Sequence, residues 1–293
     1  MQPILAVGLG EILWDVLPDA RMLGGAPANF AYHVNALGGA GVPVSRVGDD
    51  DLGREALALL ARRGVIIDAV SVDPDHPTGT VDARVDASGV ATYVFPDDVA
   101  WDFLTLEQPA LALAERADAV CFGTLAQRAE TSRQAIHRFL AASGKALKVY
   151  DINLRQQFYT PEIIAASLDA AHVLKINDAE LETVTAMFAL PEGERPALRA
   201  LMERHDLDLA VLTRGGEGSL ILSPAAESDQ PGRAVEVIDT IGAGDSFTAA
   251  LVIGYLAGWP LEDINRFAAK VAAYVCECPG AMPDMPRELV KIA

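Results

Sequence analysis

Residues 239–247 read Asp239-Thr-Ile-Gly-Ala-Gly-Asp-Ser-Phe247. The apolar run at 235–238 predicts a strand before them, and residues 244–256 predict a helix after them. Gly242 and Gly244 fall at the junction, where small residues leave the first backbone N–H groups of a helix open as an anion site. No lysine follows the second glycine, as it would in a lysine-bearing phosphate loop. The next residue is Asp245. A carboxylate cannot bind phosphate, but it can take the proton of a hydroxyl that attacks one. Phosphoryl transfer passes through a loose transition state, so an aspartate of ordinary pKa, about 4, suffices as a late proton acceptor. Without further context, a helix-capping aspartate in a tight turn accounts for the same residues.

Working outward, short β-branched runs at 3–7, 119–122, 148–150, 172–176 and 209–212 read as buried strands. Amphipathic stretches at 51–63, 129–142 and 161–169 read as helices, the first two ending near Gly64 and Gly144. Alternation of this kind predicts an α/β fold whose mostly parallel sheet is covered on both faces. Ligands of such sheets sit beyond the carboxyl ends of the strands. One region departs from the rhythm: residues 80–85 and 90–95, separated by 86–89, read as a β-hairpin. It is a candidate lid, with Tyr93 and Phe95 beside Trp101 as an apolar roof, or an ordinary surface hairpin. With no repeat, low-complexity tract or linker, residues 1–293 are expected to form a single domain.

Half of the 293 residues are apolar (51%), enough for a sizeable core. A net charge of -18 argues against nucleic acid or an anionic membrane surface as partner. Cys121, Cys276 and Cys278 form no metal-ligand spacing, and the five histidines have none among themselves, so all read as structural or exposed. The N-terminal apolar run is too short for a leader or a membrane span, and a reduced, cytoplasmic protein is expected. Gly8-Leu-Gly10 after a strand hints at a dinucleotide loop, but Leu13 stands where the next glycine belongs.

Residues 239–247 resemble the C-terminal motif of the ribokinase-like carbohydrate kinases, the phosphofructokinase-B family. Gly24-Gly-Ala-Pro-Ala-Asn29, followed by Leu37-Gly38-Gly39, resembles that family's N-terminal motif. The resemblance runs from Val7 to Pro286. It implies a three-layer α/β/α ribokinase-like fold with a small β-sheet lid built from segments near 11–25 and 78–97. It implies Asp245 as the catalytic base and the amides of Gly242, Ala243 and Gly244 as the anion hole. Asp15, Gly24, Gly25 and Asn29 are implied on the sugar side, where polyols need acceptors and close backbone approach; Asp15 also reads as a turn residue before Pro18.

Asp151-Ile-Asn-Leu-Arg155 resembles the family's Asp-x-Asn-x-Arg segment, which brings Asn153 and Arg155 to the cleft; a salt-bridged surface arginine is the plainer reading. Asn177-Asp-Ala-Glu180 matches an Asn-x-x-Glu motif that organises Mg²⁺, water and phosphate, with Glu180 acting indirectly. The same pair reads as a helix N-cap and its reciprocal partner. Thr213, Gly215 and Gly218 lie in a glycine-rich turn where the family seats ATP, although such a turn also serves a plain hairpin. Residues 279–284, with Gly280, resemble the family's closing loop, which helps carry the adenine side and a monovalent cation site. In K⁺-dependent members the ligands include equivalents of Asp239 and Ile241; position 284, often serine there, is Asp284 here. The expected reaction is ATP-dependent phosphorylation of a sugar hydroxymethyl group, fructose before ribose, 2-keto-3-deoxygluconate or another polyol. The expected assembly is a homodimer joined through the lid. A sugar-binding regulatory protein of the same fold and a dinucleotide-binding oxidoreductase are the rivals from other classes.

Overall fold

The computed structural model describes residues 3–17, 20–85 and 91–290. Its main sheet has nine strands. Seven run parallel: β1 (Leu5–Leu9), β4 (Ala40–Gly48), β5 (Val70–Asp73), β8 (Ala119–Phe122), β9 (Leu147–Asp151), β10 (Val173–Asn177) and β11 (Leu209–Thr213). Two antiparallel strands, β12 (Ser219–Leu222) and β13 (Glu227–Gln230), extend one edge. The spatial order is β13-β12-β11-β10-β9-β8-β1-β4-β5. The central strands β1 and β8 are apolar along their whole length because both faces of the sheet are covered there.

Successive residues of each strand feed opposite layers. Val7 and Leu9 join a core with α3 (Gln108–Arg116), α4 (Glu130–Ala142), α5 (Pro161–Ala170), α6 (Asp178–Phe188) and α7 (Glu194–His205). Ala6, Val149 and Val211 face the other way, towards α1 (Ala26–Ala36), α8 (Ala243–Leu256) and α9 (Leu261–Cys276). The helix α2 (Asp51–Arg62) starts where Asp50 Oδ1 accepts from Gly53 N at 2.7 Å, and it packs near α1. Gly8 has a packing reason: a Cβ there would lie 2.0 Å from Pro27 O, so α1 rests directly on β1.

A second, four-stranded sheet has the order β3-β2-β6-β7, from β2 (Leu13–Leu17), β3 (Ala20–Gly24), β6 (Gly79–Val85) and β7 (Ala91–Val94). β6 and β7 pair antiparallel, as the alternating pattern required; the turn expected at 86–89 lies outside the described residues.

Two expectations need correction. Residues 235–238 are not a strand. The N–H groups of Ile238 and Asp239 bond to Cys276 O at the end of α9, so no neighbouring strand is available to pair with this run. Val237 and Ile238 are 59% and 62% exposed. Trp101 is no roof either: it is buried behind the small sheet, where a Cβ on Gly79 would meet its Nε1 at 2.2 Å. Phe95 does border the cleft, while the side chain of Tyr93 is outside the described residues.

Candidate active site

A cleft of about 1520 Å³ opens at the carboxyl ends of the parallel strands, between them, the start of α8 and the small sheet. Asp245 stands on its wall in the first turn of α8. Its Oδ2 accepts a 2.8 Å hydrogen bond from Asn29 Nδ2, on α1. Burial, then the Asp151 carboxylate, pushes Asp245 up to about 6, against the opposing pull of Asn29, Lys175 and Arg155. Its surroundings thus hold Asp245 above the ordinary aspartate value expected from sequence. A base of this strength lies closer to neutral pH, where general-base help is most effective.

Gly242 caps α8 in the left-handed region at φ 77, and a Cβ there would sit 2.6 Å from Ala281 O. The helix ladder begins with Ser246 N donating to Gly242 O at 2.9 Å. Ala243 N reaches Thr240 O at a long 3.3 Å, and the N–H groups of Gly242 and Gly244 meet no acceptor among the described residues. Open amides at a helix start, with the carboxylate of Asp245 beside them, can hold an anion and receive a proton at adjacent points.

Asp15, Gly25 and Asn29 share the cleft wall with Asp245. Asp15 projects from β2 into the cleft, its pKa raised by burial against the pull of Arg155. Gly24 is not in the cleft wall; it backs Asp15, where a Cβ would be 2.5 Å from Oδ2. Asn153, at φ 44, and Arg155 follow β9 into the cleft. Arg155 is exposed, donates to Leu154 O at 3.1 Å and forms no ion pair among the described residues, so the salt-bridged alternative is not seen there. Its positive field reaches Asp15, Glu11 and Asp245.

Asn177 and Glu180 form the reciprocal cap of α6. Glu180 N donates to Asn177 Oδ1 at 2.8 Å, and Asn177 N to Glu180 Oε2 at 2.9 Å. Glu180 Oε1 also accepts from Leu154 N at 3.0 Å, so this buried carboxyl sits behind the cleft rather than in its wall. Thr213, Gly215 and Gly218 do line the cleft. So do Val235 and Val237, opposite Ala272 and Cys276 of α9, which makes an apolar slot beside the glycine turn. Asp239 and Gly280 lie outside the wall and bind each other: Asp239 Oδ2 accepts from Gly280 N at 3.1 Å and Oδ1 from Ile241 N at 2.9 Å. His33, kept neutral by burial with its pKa near 4, meets Ala281 O at 2.8 Å and pins the closing loop.

Residues 20–288 match the family described as pfkB family carbohydrate kinase. The chain belongs to that family. It is 30% identical over 300 residues to a fructokinase of Salmonella typhimurium, covering 95% of both proteins. An uncharacterized sugar kinase from Pyrococcus horikoshii, solved in complex with ATP, superposes with a TM-score of 0.80 at 26% identity, over 97% of this chain and 95% of the other. A fructokinase double mutant from Vibrio cholerae, solved with fructose, ADP and potassium ion, reaches 0.83 at 23% identity over 97% and 96% of the two chains; at that identity it speaks to the fold alone. The protein is thus a carbohydrate kinase of the three-layer α/β/α, ribokinase-like architecture.

Two charged residues of this kinase's cleft escaped the sequence reading. Glu11, two residues past the end of β1, is 3% exposed and pushed up to about 7, mainly by burial. The backbone of Glu11 and Ala26 pulls the other way, while Oε2 finds no hydrogen-bond partner among the described residues. Lys175, inside β10, donates to Asp151 Oδ1 at 3.1 Å. Burial opposes its charge, but Asp151, Glu180 and Asp245 outweigh that and raise its pKa. The available signal was a lysine within an otherwise apolar strand.

Proposed function

We propose that this carbohydrate kinase is an ATP-dependent fructokinase that converts fructose to fructose 6-phosphate. The observation that carries the reading is Asp245, hydrogen-bonded to Asn29 in a cleft whose wall also carries the open amides of α8 and the carboxyl of Asp15. The hydroxymethyl oxygen attacks the terminal phosphorus of ATP, the bond to the bridging oxygen breaks, ADP leaves, and the proton passes to Asp245. The amides of Gly242, Ala243 and Gly244 and the guanidinium of Arg155 face the charge that develops on the phosphoryl oxygens. Asp15, Gly25, Asn29 and Asn153 grip the sugar, with Gly24 behind Asp15. ATP lies along Thr213, Gly215 and Gly218, its base in the slot of Val235, Val237, Ala272 and Cys276. The fructokinase of Salmonella and the ATP complex of the Pyrococcus kinase support this choice of substrates.

Mg²⁺ belongs with the nucleotide in this reading and neutralises phosphate charge when bound. No cluster of three acidic, histidine or cysteine groups suited to a metal occurs among the described residues. Asn177 and Glu180 fit an indirect role through water, since the two carboxylate oxygens of Glu180 already accept from Leu154 N and Asn177 N. A K⁺ site near Asp239 and the Ile241 carbonyl fits the donor types present, beside Gly280 and Asp284. The small sheet serves as the lid of one kinase domain and as the contact of a homodimer, and the enzyme works in the cytoplasm. No helix among the described residues is long and apolar enough to cross a membrane.

An ADP-release assay over a sugar panel, with Mg²⁺ and K⁺, tests the proposal. Fructose should exceed ribose and 2-keto-3-deoxygluconate in kcat/KM by a wide margin. A win for either competitor removes the fructose assignment; no ADP release with any sugar favours a sugar-binding protein.

A further inference from the structure

The glycine turn at 242–244 has no lysine in its own stretch of chain, and the fold brings one to it from β10. Lys175 lies between Leu174 and Ile176, both fully buried, and is itself 7% exposed. Its side chain borders the cleft beside α8: a Cβ built on Gly244 would lie 2.9 Å from Lys175 Nζ. An ammonium has three donors. One goes to Asp151 Oδ1 at 3.1 Å, and no second acceptor is within hydrogen-bonding distance among the described residues. Asp151 is held in turn by Thr248, whose Oγ1 donates to Oδ2 at 2.9 Å from within α8. The cation is thus fastened on one side and has donors to spare next to an anion-binding helix start.

We propose that Lys175 supplies the positive charge that the glycine turn lacks, as a positioning and electrostatic residue for the phosphoryl group in transfer. The proposal rests on the kinase reading above. A buried charge is expensive to keep unless it is paired or used. Asp151 pairs it, and the Asp151–Thr248 contact ties the pair to α8, so the ammonium and the amides of Gly242 and Gly244 keep a fixed relation. Negative charge on the transferring group grows in the transition state, where a preorganised cation in a sheltered cleft acts most strongly. The plainer role, in which Lys175 merely neutralises Asp151 and shields Asp245 from it, makes a different prediction when both partners are removed.

The experiment compares the unmodified enzyme, Lys175→Met and the double variant Asp151→Asn/Lys175→Met. The readouts are kcat, KM for ATP, and affinity for ADP with and without aluminium fluoride, in the presence of Mg²⁺ and sugar. Lys175→Met should lose on the order of 10²-fold in kcat. Its affinity for the ADP–aluminium fluoride mimic should fall by a similar factor, with ADP alone changing less than about threefold. The double variant removes both members of the Asp151–Lys175 pair, so neither is left buried without the other, and it guards against simple misfolding. It should remain as slow as Lys175→Met. Recovery of kcat in the double variant overturns the proposal, and so does an equal loss of affinity for ADP with and without aluminium fluoride. An unmodified protein that neither releases ADP with any sugar nor binds the mimic would instead sink the kinase reading beneath it.

Discussion

Asn29 and Asp245 are 216 positions apart in the chain and share a 2.8 Å hydrogen bond, from Asn29 Nδ2 to Asp245 Oδ2. Asn29 belongs to α1 and Asp245 to α8, two helices on the same face of the sheet. The bond favours the ionised carboxylate, as does Lys175, whereas burial and Asp151 oppose it. The base therefore has its strength set by partners from three other elements.

The pH profile should report this. With Asp245 near 6, kcat/KM should fall about tenfold per unit as pH drops below 6 and level off above it. Asn29→Ala removes a group that lowers the value, so its acid limb should move to higher pH. An unmoved limb would detach Asn29 from the base.

Asp245→Asn should retain sugar and ATP binding while kcat falls by at least ~10²-fold. Near-normal turnover would take Asp245 out of the role. Stability should move the other way. The folded value is raised, so ionising Asp245 costs stability that is fully felt above about 6 and vanishes below the unfolded value near 4. Thermal melts should show the Asn variant with the higher Tm at pH 8 and no advantage near pH 3.5.

Gly242 and Gly244 should respond differently to alanine. At Gly242 the φ of 77 and the Ala281 carbonyl 2.6 Å away both oppose a Cβ, so Gly242→Ala should lose about 1–3 kcal/mol of stability along with activity. At Gly244 the clash is with the flexible end of Lys175, 2.9 Å away. Gly244→Ala should keep its Tm within a few degrees and still lose kcat. Denaturant titrations beside single-turnover rates separate the two.

Asp15→Ala should cut kcat/KM for fructose at least tenfold and leave the KM for ATP unchanged, since a lost charged hydrogen bond costs about 1.5–3 kcal/mol. Equal losses for both substrates would mean that Asp15 supports the cleft as a whole.

Shortening β6 and β7 and removing residues 86–89, which lie outside the described residues, should raise the sugar KM while ATP affinity holds. An unchanged sugar KM would assign the small sheet to packing or subunit contact.

Much of this molecule was legible from local pattern. Runs such as 119–122 and 209–212 are strands because a parallel sheet covered on both faces buries every side chain along them, and such runs carry their signature within a few residues. The cap of Asn177 and Glu180 was legible for the same reason: both partners lie within one turn. Pattern failed at 235–238, where apolar residues wall a cleft and bond to the end of α9 instead of joining the sheet.

The sequence by itself determined the layered α/β order, the glycine turn at the start of α8 and the carboxylate beside it, all of which depend on backbone conformation and side-chain period over short spans. Only the tertiary structure decided which charges meet there: Asn29 on Asp245, Lys175 on Asp151 beside Gly244, Glu11 buried after β1. Desolvation and Coulomb attraction depend on distance through space and on exclusion of water. Neither quantity is recorded in the spacing of residues along the chain, so the strength of the base and the source of its neighbouring cation emerge only when the strands and helices pack.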